Sequence, residues 1–151
     1  MRASITLRSE DAEFTRLQAF ADEFARQCSL PDDERTRVLI VLEELFTNAI
    51  THGYGLHSTA GAITVALGWR RGHFRISFVD DAPPFDSLTS SVPDLDAPGE
   101  ERPIGGLGIH IVRSLVDQAR YRREGGRNHV HLVRHIPSAA RSALPNDIRQ
   151  R

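Results

Sequence analysis

The stretch E-L-F-T-N, Glu44 to Asn48, lies within an apolar pattern of helical period that decides the fold. Pro31-Asp32-Asp33-Glu34 predicts the first turn, because proline is tolerated there and carboxylates are favoured near the positive end of the helix dipole. Gly53 and Gly55 predict the end of the helix. Glu44 and Asn48 are four residues apart, so a helix projects both from one face. The apolar stripe that predicts this helix consists of Val38, Leu42, Leu45 and Ala49.

On the N-terminal side, the sequence predicts a short strand and a second helix. Residues 3–8 alternate in the manner of a strand, with Ile5 and Leu7 on one face, and Ser9 is suited to cap the helix that follows. That helix is expected to run for about five turns, since apolar residues recur at helical spacing. The members of this stripe are Phe14, Leu17, Phe20, Phe24 and Cys28.

On the C-terminal side, the apolar period changes from about 3.6 to 2, which predicts strands. Residues 63–69 and 74–78 alternate on either side of the turn at 70–73, and therefore predict a β-hairpin. A second strand pair is predicted at 119–123 and 129–134. The chain is thus expected to form an α/β domain of helices and a sheet.

Two further segments stand out after the first hairpin. The segment D-D-A-P-P-F-D, 80–86, follows an apolar strand, and G-G-L-G-I-H-I-V, 105–112, combines a Gly-rich turn with a helix that has a wide apolar face. Residues 87–104 between them are rich in Ser, Pro, Asp and Glu, and a loop of that length inside a compact domain indicates function or disorder. The chain becomes a polar tail from residue 137.

Composition points to one ordinary globular domain. The chain has 151 residues, 40% of them hydrophobic and 26% charged, with a formal net charge of -1, so nothing predicts a nucleic-acid partner. Cys28 is the single cysteine, which excludes an intrachain disulfide and fits a reducing compartment. The sequence lacks the apolar run of a signal peptide or a membrane span, so we expect a cytoplasmic protein without a membrane partner.

The helix pair Glu44 and Asn48 suggests metal-assisted chemistry. Mg²⁺ takes few protein oxygens and keeps several waters, so the amide oxygen of Asn48 together with phosphate oxygens would suit it. Glu44 could then orient or deprotonate an attacking hydroxyl. The alternative is that both side chains simply face solvent. Glu43 lies about 100° around the helix and is the poorer candidate. His52 continues the stripe, although a single His near a helix end is more often a cap or packing residue.

The other two segments suggest groups that would contact a nucleotide. Asp80 follows an apolar strand, and a buried carboxylate there needs a donor, which the exocyclic amino group of adenine could supply. A turn-starting Asp is the alternative. Phe85 could pack against a ring or fill the core. The glycines of 105–108 would let backbone amides approach phosphates at a helix N-terminus, although the G-K-[S/T] of a Walker loop is absent.

These segments resemble the three nucleotide-binding boxes of the GHKL (Bergerat-fold) ATP-binding superfamily, in the small version typical of bacterial anti-sigma factor serine/threonine-protein kinases. E-E-L-F-T-N-A-I-T-H-G-Y, 43–54, is similar to that subgroup's E-A-v-t-N-a-i-x-H-g-y. D-D-A-P-P-F-D is similar to D-x-G-x-P-F-D, and 105–117 is similar to G-x-G-L-x-l-v-x-x-l-x-D. The likeness covers roughly residues 3–135.

The resemblance implies helices packed on one face of a mixed β-sheet, in one ATP-binding domain over 1–136 with a nucleotide lid at about 87–104 and a tail at 137–151. It implies ATP and Mg²⁺ as cofactors, Asn48 on the metal, Glu44 as catalytic base and Asp80 on adenine. The other residues it places beside the nucleotide are His52, Ala82, Pro84, Phe85, Arg102, Gly105, Gly106, Leu107, Gly108 and Ile109.

One departure from the pattern bears on activity. Ala82 stands where the pattern has Gly, so a backbone position that favours positive φ or close ligand approach carries a methyl group. Arg102 precedes the Gly-rich turn at a loose spacing, from which it could touch the γ-phosphate.

The function implied by the resemblance is that of a partner-switching kinase. Such a protein would phosphorylate a STAS-domain anti-anti-sigma partner and sequester a sigma factor, and a homodimer is left open. A first alternative is an ATP-binding adaptor without phosphoryl transfer, for which Ala82 is the main argument. A second is a detached catalytic domain of a histidine kinase. A zinc site at His129 and His131 would have too few ligands.

Overall fold

The structure is a computed structural model that describes residues 1–55, 61–89 and 106–137, and at 106 and 107 the backbone alone. Within these ranges, five strands form a single sheet in the order β1-β2-β3-β5-β4. The strands are β1 (Arg2–Arg8), β2 (Ala62–Arg70), β3 (His73–Asp80), β4 (Gln118–Glu124) and β5 (Arg127–His135). Both predicted hairpins, β2-β3 and β4-β5, are therefore confirmed.

In the part of the chain that the structure describes, three α-helices accompany the sheet: α1 (Phe14–Gln27), α2 (Asp32–Asn48) and α3 (Gly106–Leu115). A short 3₁₀ turn, Asp11–Glu13, leads into α1, and a π-helical segment, Ala49–Tyr54, follows α2 directly. The predicted acidic first turn of α2 is confirmed, with Pro31 as its N-cap residue. No helix in the described ranges is long and apolar enough to cross a membrane.

The expected α/β architecture is confirmed, but the sheet is not mixed. Every pair of neighbouring strands among the described residues is antiparallel. The reason is that β5 folds back from β4 and inserts beside β3. Strands β3 and β4 are connected through α3. They consequently run in the same direction without hydrogen bonding to each other.

The hydrophobic core lies between one face of the sheet and the helices. Side chains alternate between faces along each strand, and β2 shows this as buried residues at alternate positions from Ile63 to Leu67. Among the core residues are Ile63, Val65, Leu67, Phe74, Ile76, Phe78, Val130 and Leu132 from the sheet, and Leu17, Phe24, Val38, Leu42, Leu45, Ile109 and Val112 from the helices.

The N-terminal region departs from the prediction in two details. Helix α1 has 14 residues, which is about four turns instead of five, because the 3₁₀ turn takes up its start. Ser9 does not cap this turn. Its buried hydroxyl accepts a hydrogen bond from Gly61 N at 3.0 Å, and so joins the end of β1 to the start of β2.

A charged pair fixes α2 and α3 relative to β5. Arg134 donates to both carboxylate oxygens of Glu34, from Nε at 2.5 Å and from Nη2 at 2.7 Å, which is the strong bidentate arrangement. Its Nη1 donates to Leu115 O, at the last residue of α3, at 3.0 Å. The start of α2 therefore lies beside the end of α3, and the two helices run antiparallel.

Candidate functional site

The three segments singled out in the sequence meet at one end of the sheet. A methyl group added to Gly108 at the start of α3 would lie 1.8 Å from Oε2 of Glu44 on α2. The rings of His52 and Phe85 have centroids 5.9 Å apart. The end of α2 with its π-helix, the loop after β3 and the first turn of α3 therefore surround a common space.

The Glu44 carboxylate lies directly against the first turn of α3. A side chain at position 108 would overlap the carboxylate where it now lies, so the glycine permits this close approach. Burial, and secondarily the charge of Glu43, raises the pKa of Glu44 above its usual value. An ionised carboxylate with a raised pKa is a better proton acceptor, which is what a general base needs.

Asn48 presents an amide that the rest of the described chain does not use. The residue is 8% exposed, and its side chain makes no capping hydrogen bond to the π-helix that follows. Buried polar groups normally have a partner, so the amide is available to a ligand. The described residues hold no cluster of three His, Cys, Asp or Glu that could bind a metal. A Mg²⁺ ion here would thus be held by the amide oxygen of Asn48 together with ligand and water oxygens, as this ion prefers.

Asp80 is a buried carboxylate with one oxygen occupied. It is 6% exposed, and its Oδ1 accepts from Ala82 N at 3.1 Å and from Asn128 Nδ2 at 2.7 Å. Burial raises the pKa of Asp80, while these two hydrogen bonds oppose that rise. Within the described ranges no donor reaches Oδ2, so this oxygen can accept a hydrogen bond from a ligand.

Ala82 is accommodated by a glycine on the facing segment. Ala82 is 1% exposed. In the described ranges the non-glycine residues with positive φ are Ser29 and Arg71, so the backbone of Ala82 is not in the left-handed region and is unstrained. A methyl group added to Gly53 would lie 3.2 Å from Cβ of Ala82. The methyl group of Ala82 occupies the space that Gly53 leaves open. An alanine at this position is therefore compatible with the backbone conformation of the loop.

The remaining predicted site residues differ in their surroundings. His52 and Pro84 are exposed, and Phe85 is half-buried. Ile109 is buried in the core, so its side chain is not available to a ligand. Arg102, Gly105 and the proposed lid from residue 90 lie outside the described residues, as does the Leu107 side chain.

The first residues of the proposed lid, 87–89, are described and are attached to α3. Leu88 is buried, and its carbonyl accepts from Nη2 of Arg113 at 2.9 Å and from Nε at 3.3 Å. The loop after β3 is therefore tied to the same helix whose first turn faces Glu44.

Sequence reasoning missed two polar residues that shape this region. Asn128 lies just outside the predicted strand 129–134, yet it is the second residue of β5 and bonds to Asp80. Tyr54 ends the π-helix, and its hydroxyl lies 2.5 Å from Asp81 Oδ1 and accepts from Asp81 N at 3.1 Å. Neither residue carries a local signal, because their partners are distant in sequence. His129 and His131 merely stack, with ring centroids 6.2 Å apart.

Comparison with known families agrees with this geometry. Residues 7–134 match the family model described as the histidine kinase-like ATPase domain. The chain therefore belongs to the histidine kinase-like ATPase family. That match includes α2, the loop after β3 and α3, which are the elements that form the candidate site.

Named relatives and a solved structure extend the comparison. The chain is 25% identical to an anti-sigma F factor of Pasteuria penetrans over 147 residues, which is 97% of each chain. It is 30% identical to a serine-protein kinase RsbW of Bacillus cereus over 98 residues, covering 62% of this chain and 60% of the relative. A structure of the RsbU and RsbW domains of a Mycobacterium tuberculosis protein has a TM-score of 0.64 at 20% identity, covering 90% of this chain and 32% of that one.

The raised pKa of Glu44 predicts a pH-dependent effect of Glu44→Gln on stability. A raised folded-state pKa means that protonated Glu44 stabilises the fold below its unfolded value of about 4.3, and that this contribution is lost as pH rises through the folded pKa. The neutral variant should therefore be more stable than wild type at pH 7, and the difference should shrink towards pH 4. Urea unfolding at both pH values measures this.

The exposed neighbour Glu43 gives the matched control for that experiment. Glu43→Gln should stabilise the fold at pH 7 less than Glu44→Gln does, because Glu43 is exposed and its charge is only the second cause of the raised pKa of Glu44. A Glu44→Gln variant that is less stable than wild type at pH 7 would contradict the claim that burial of the ionised Glu44 carboxylate destabilises the fold.

Proposed function

We propose that this chain is an ATP-dependent serine/threonine kinase and anti-sigma factor of a partner-switching system. The observation that carries the proposal is the placement of the Glu44 carboxylate against the first turn of α3. A potential base and a set of helix N-terminal N–H groups, which favour phosphate, thus share one space. The unused amide of Asn48 lies one helical turn from Glu44.

Each residue of the site has a distinct role in this proposal. Asp80 would accept from the adenine amino group through Oδ2, and the amide oxygen of Asn48 would hold a Mg²⁺ ion, which would neutralise charge on the phosphates. The N–H groups at the start of α3 bind phosphate oxygens. Glu44 takes the proton from a partner's serine or threonine hydroxyl as that oxygen bonds to the γ-phosphorus of ATP, the bond to the bridging oxygen breaks and ADP leaves.

The proposed partners follow from the relatives. Their names are anti-sigma F factor and serine-protein kinase RsbW, which supports a sigma factor and a STAS-domain anti-anti-sigma protein as partners of this chain. The adaptor alternative drew on Ala82. That argument weakens, since Gly53 leaves room for the methyl group and the backbone of Ala82 is unstrained.

The proposal predicts that ATP with Mg²⁺ stabilises the fold. A ligand at 100 times its Kd adds about 2.7 kcal/mol, which corresponds to a rise in Tm of about 5–10 °C for a chain of this size. Thermal unfolding with ATP, GTP and no nucleotide measures this, and chelation of Mg²⁺ should remove most of the rise. An unchanged Tm at millimolar ATP and Mg²⁺ would contradict nucleotide binding.

A further inference from the structure

One side chain attaches the loop after β3 to the neighbouring strand. Asn128 of β5 is 1% exposed and lies directly opposite Asp80 in the β3-β5 register. Its Nδ2 donates to Asp80 Oδ1 at 2.7 Å and to Pro83 O at 3.0 Å, and lies 3.4 Å from Ala82 O. The donor half of this amide therefore connects the proposed adenine ligand to the loop that follows it.

The acceptor half of the same amide is equally occupied. Its Oδ1 accepts from Phe85 N at 3.2 Å, from the Tyr121 hydroxyl at 2.9 Å and from Arg123 Nη1 at 2.8 Å. All neighbours of Nδ2 are acceptors and all neighbours of Oδ1 are donors, so the surroundings permit one amide orientation.

Arg123 braces the arrangement a second time. The same Nη1 donates to Ala82 O at 2.7 Å, so one guanidinium nitrogen holds both the loop backbone and the side chain of Asn128. Arg123 lies near the end of β4 and is exposed. It can therefore be replaced without disturbing the hydrophobic core.

We propose that Asn128, braced by Arg123 and Tyr121, is a positioning residue that determines base specificity. It fixes Asp80 with Oδ1 occupied and Oδ2 directed to the ligand, and so selects a base with an exocyclic amino group over one with a carbonyl there. This inference rests on the proposed ATP-binding function.

The physical reason is the balance of donors around Asp80. Two hydrogen bonds to Oδ1 favour the ionised carboxylate against the cost of burial. An ionised carboxylate can only accept, so it pairs with the amino group of adenine and meets the carbonyl of guanine as acceptor against acceptor. Loss of the Asn128 donor would free Asp80 to rotate or to bind a proton and donate.

The test replaces the donor without changing size. Asn128→Asp keeps Oδ1 as the acceptor for Tyr121 and Arg123, removes the Nδ2 donor to Asp80 and Pro83, and places a second carboxylate beside Asp80 Oδ1. Calorimetry with Mg²⁺-ATP, Mg²⁺-GTP and inorganic tripolyphosphate should show ATP affinity lowered about 10- to 100-fold, the range for a lost hydrogen bond to a charged group. The preference for ATP over GTP should shrink, while tripolyphosphate affinity stays near the wild-type value.

Arg123→Ala is the second variant, and it probes the brace without altering a buried residue. It should lower ATP affinity about 3- to 10-fold, since it removes a hydrogen bond from each of two acceptors. Arg122→Ala is the matched control, because Arg122 is also exposed, lies on the opposite face of β4 and pairs with Glu124 at 3.0 Å. The control should bind ATP as wild type does.

The outcomes separate this inference from the proposed function. Wild-type affinity and base preference in folded Asn128→Asp or in Arg123→Ala would overturn the role of Asn128 and leave ATP binding intact. A uniform loss of ATP and tripolyphosphate affinity would show a structural role only, and would also overturn it. A wild-type protein that binds no nucleotide would remove the proposed function together with this inference.

Discussion

Asn48→Ala is expected to abolish tight nucleotide binding while leaving the fold intact. The substitution removes the only protein oxygen that we assign to the metal. Loss of a residue that merely orients a metal ligand already lowers affinity about 10- to 100-fold. Stability should change little, since the Asn48 amide makes no capping hydrogen bond to the π-helix. Calorimetric titration with ATP in excess Mg²⁺ measures the affinity, and urea unfolding measures the stability.

Thr47→Ala gives the matched control for this variant. Thr47 is adjacent on α2 and exposed, so its replacement should leave ATP affinity unchanged. The decisive comparison repeats both titrations with chelator. Wild-type affinity should then fall to that of Asn48→Ala, and an affinity in Asn48→Ala that equals wild type with Mg²⁺ would exclude Asn48 from the site.

Glu44→Gln is expected to slow phosphoryl transfer by about 10²- to 10⁴-fold, the usual contribution of a general base. The amide keeps the size and helix preference of Glu44 beside Gly108, but it cannot accept a proton at neutral pH. ATP affinity should therefore survive, because binding depends on other groups. Single-turnover transfer with excess enzyme separates the rate of chemistry from nucleotide binding.

The neighbouring acid again serves as control. Glu43→Gln changes the same formal charge on an exposed position of α2, so it should keep transfer within a few-fold of wild type. Transfer by Glu44→Gln at the wild-type rate would show that another group, or water, accepts the proton.

Much of this architecture follows from local sequence patterns. The acidic start and the apolar stripe predicted where α2 begins and that helical structure continues to about Gly53, because burial of one helix face is encoded every three or four residues. They did not predict that the last part, Ala49–Tyr54, is π-helical. The alternation in β2 and β3 likewise gave the hairpin. The positions of Glu44 and Asn48 on one face needed only the helical repeat.

The rest depends on contacts between segments far apart in the chain. Asn128 bonds to Asp80 across 48 residues, and nothing in its own surroundings distinguishes it from a turn residue. Serine is a residue type that commonly caps helices. The Ser9 hydroxyl instead accepts a hydrogen bond from Gly61 N, which comes within reach once β1 and β2 pair. The space that Gly53 leaves for Ala82 is visible only when the π-helix and the loop are placed together.

The most direct measurement is transfer of labelled phosphate from the γ-position of ATP to a candidate STAS-domain partner protein. The account predicts label on a serine or threonine of that partner, with ADP formed in equal amount, in the wild-type protein and in Glu43→Gln. It predicts transfer slowed to about 10⁻² of wild type or below in Glu44→Gln, since a general base contributes at least that much. A wild-type protein that binds ATP with Mg²⁺, binds the partner, and transfers no phosphate to it would contradict the account and favour an adaptor.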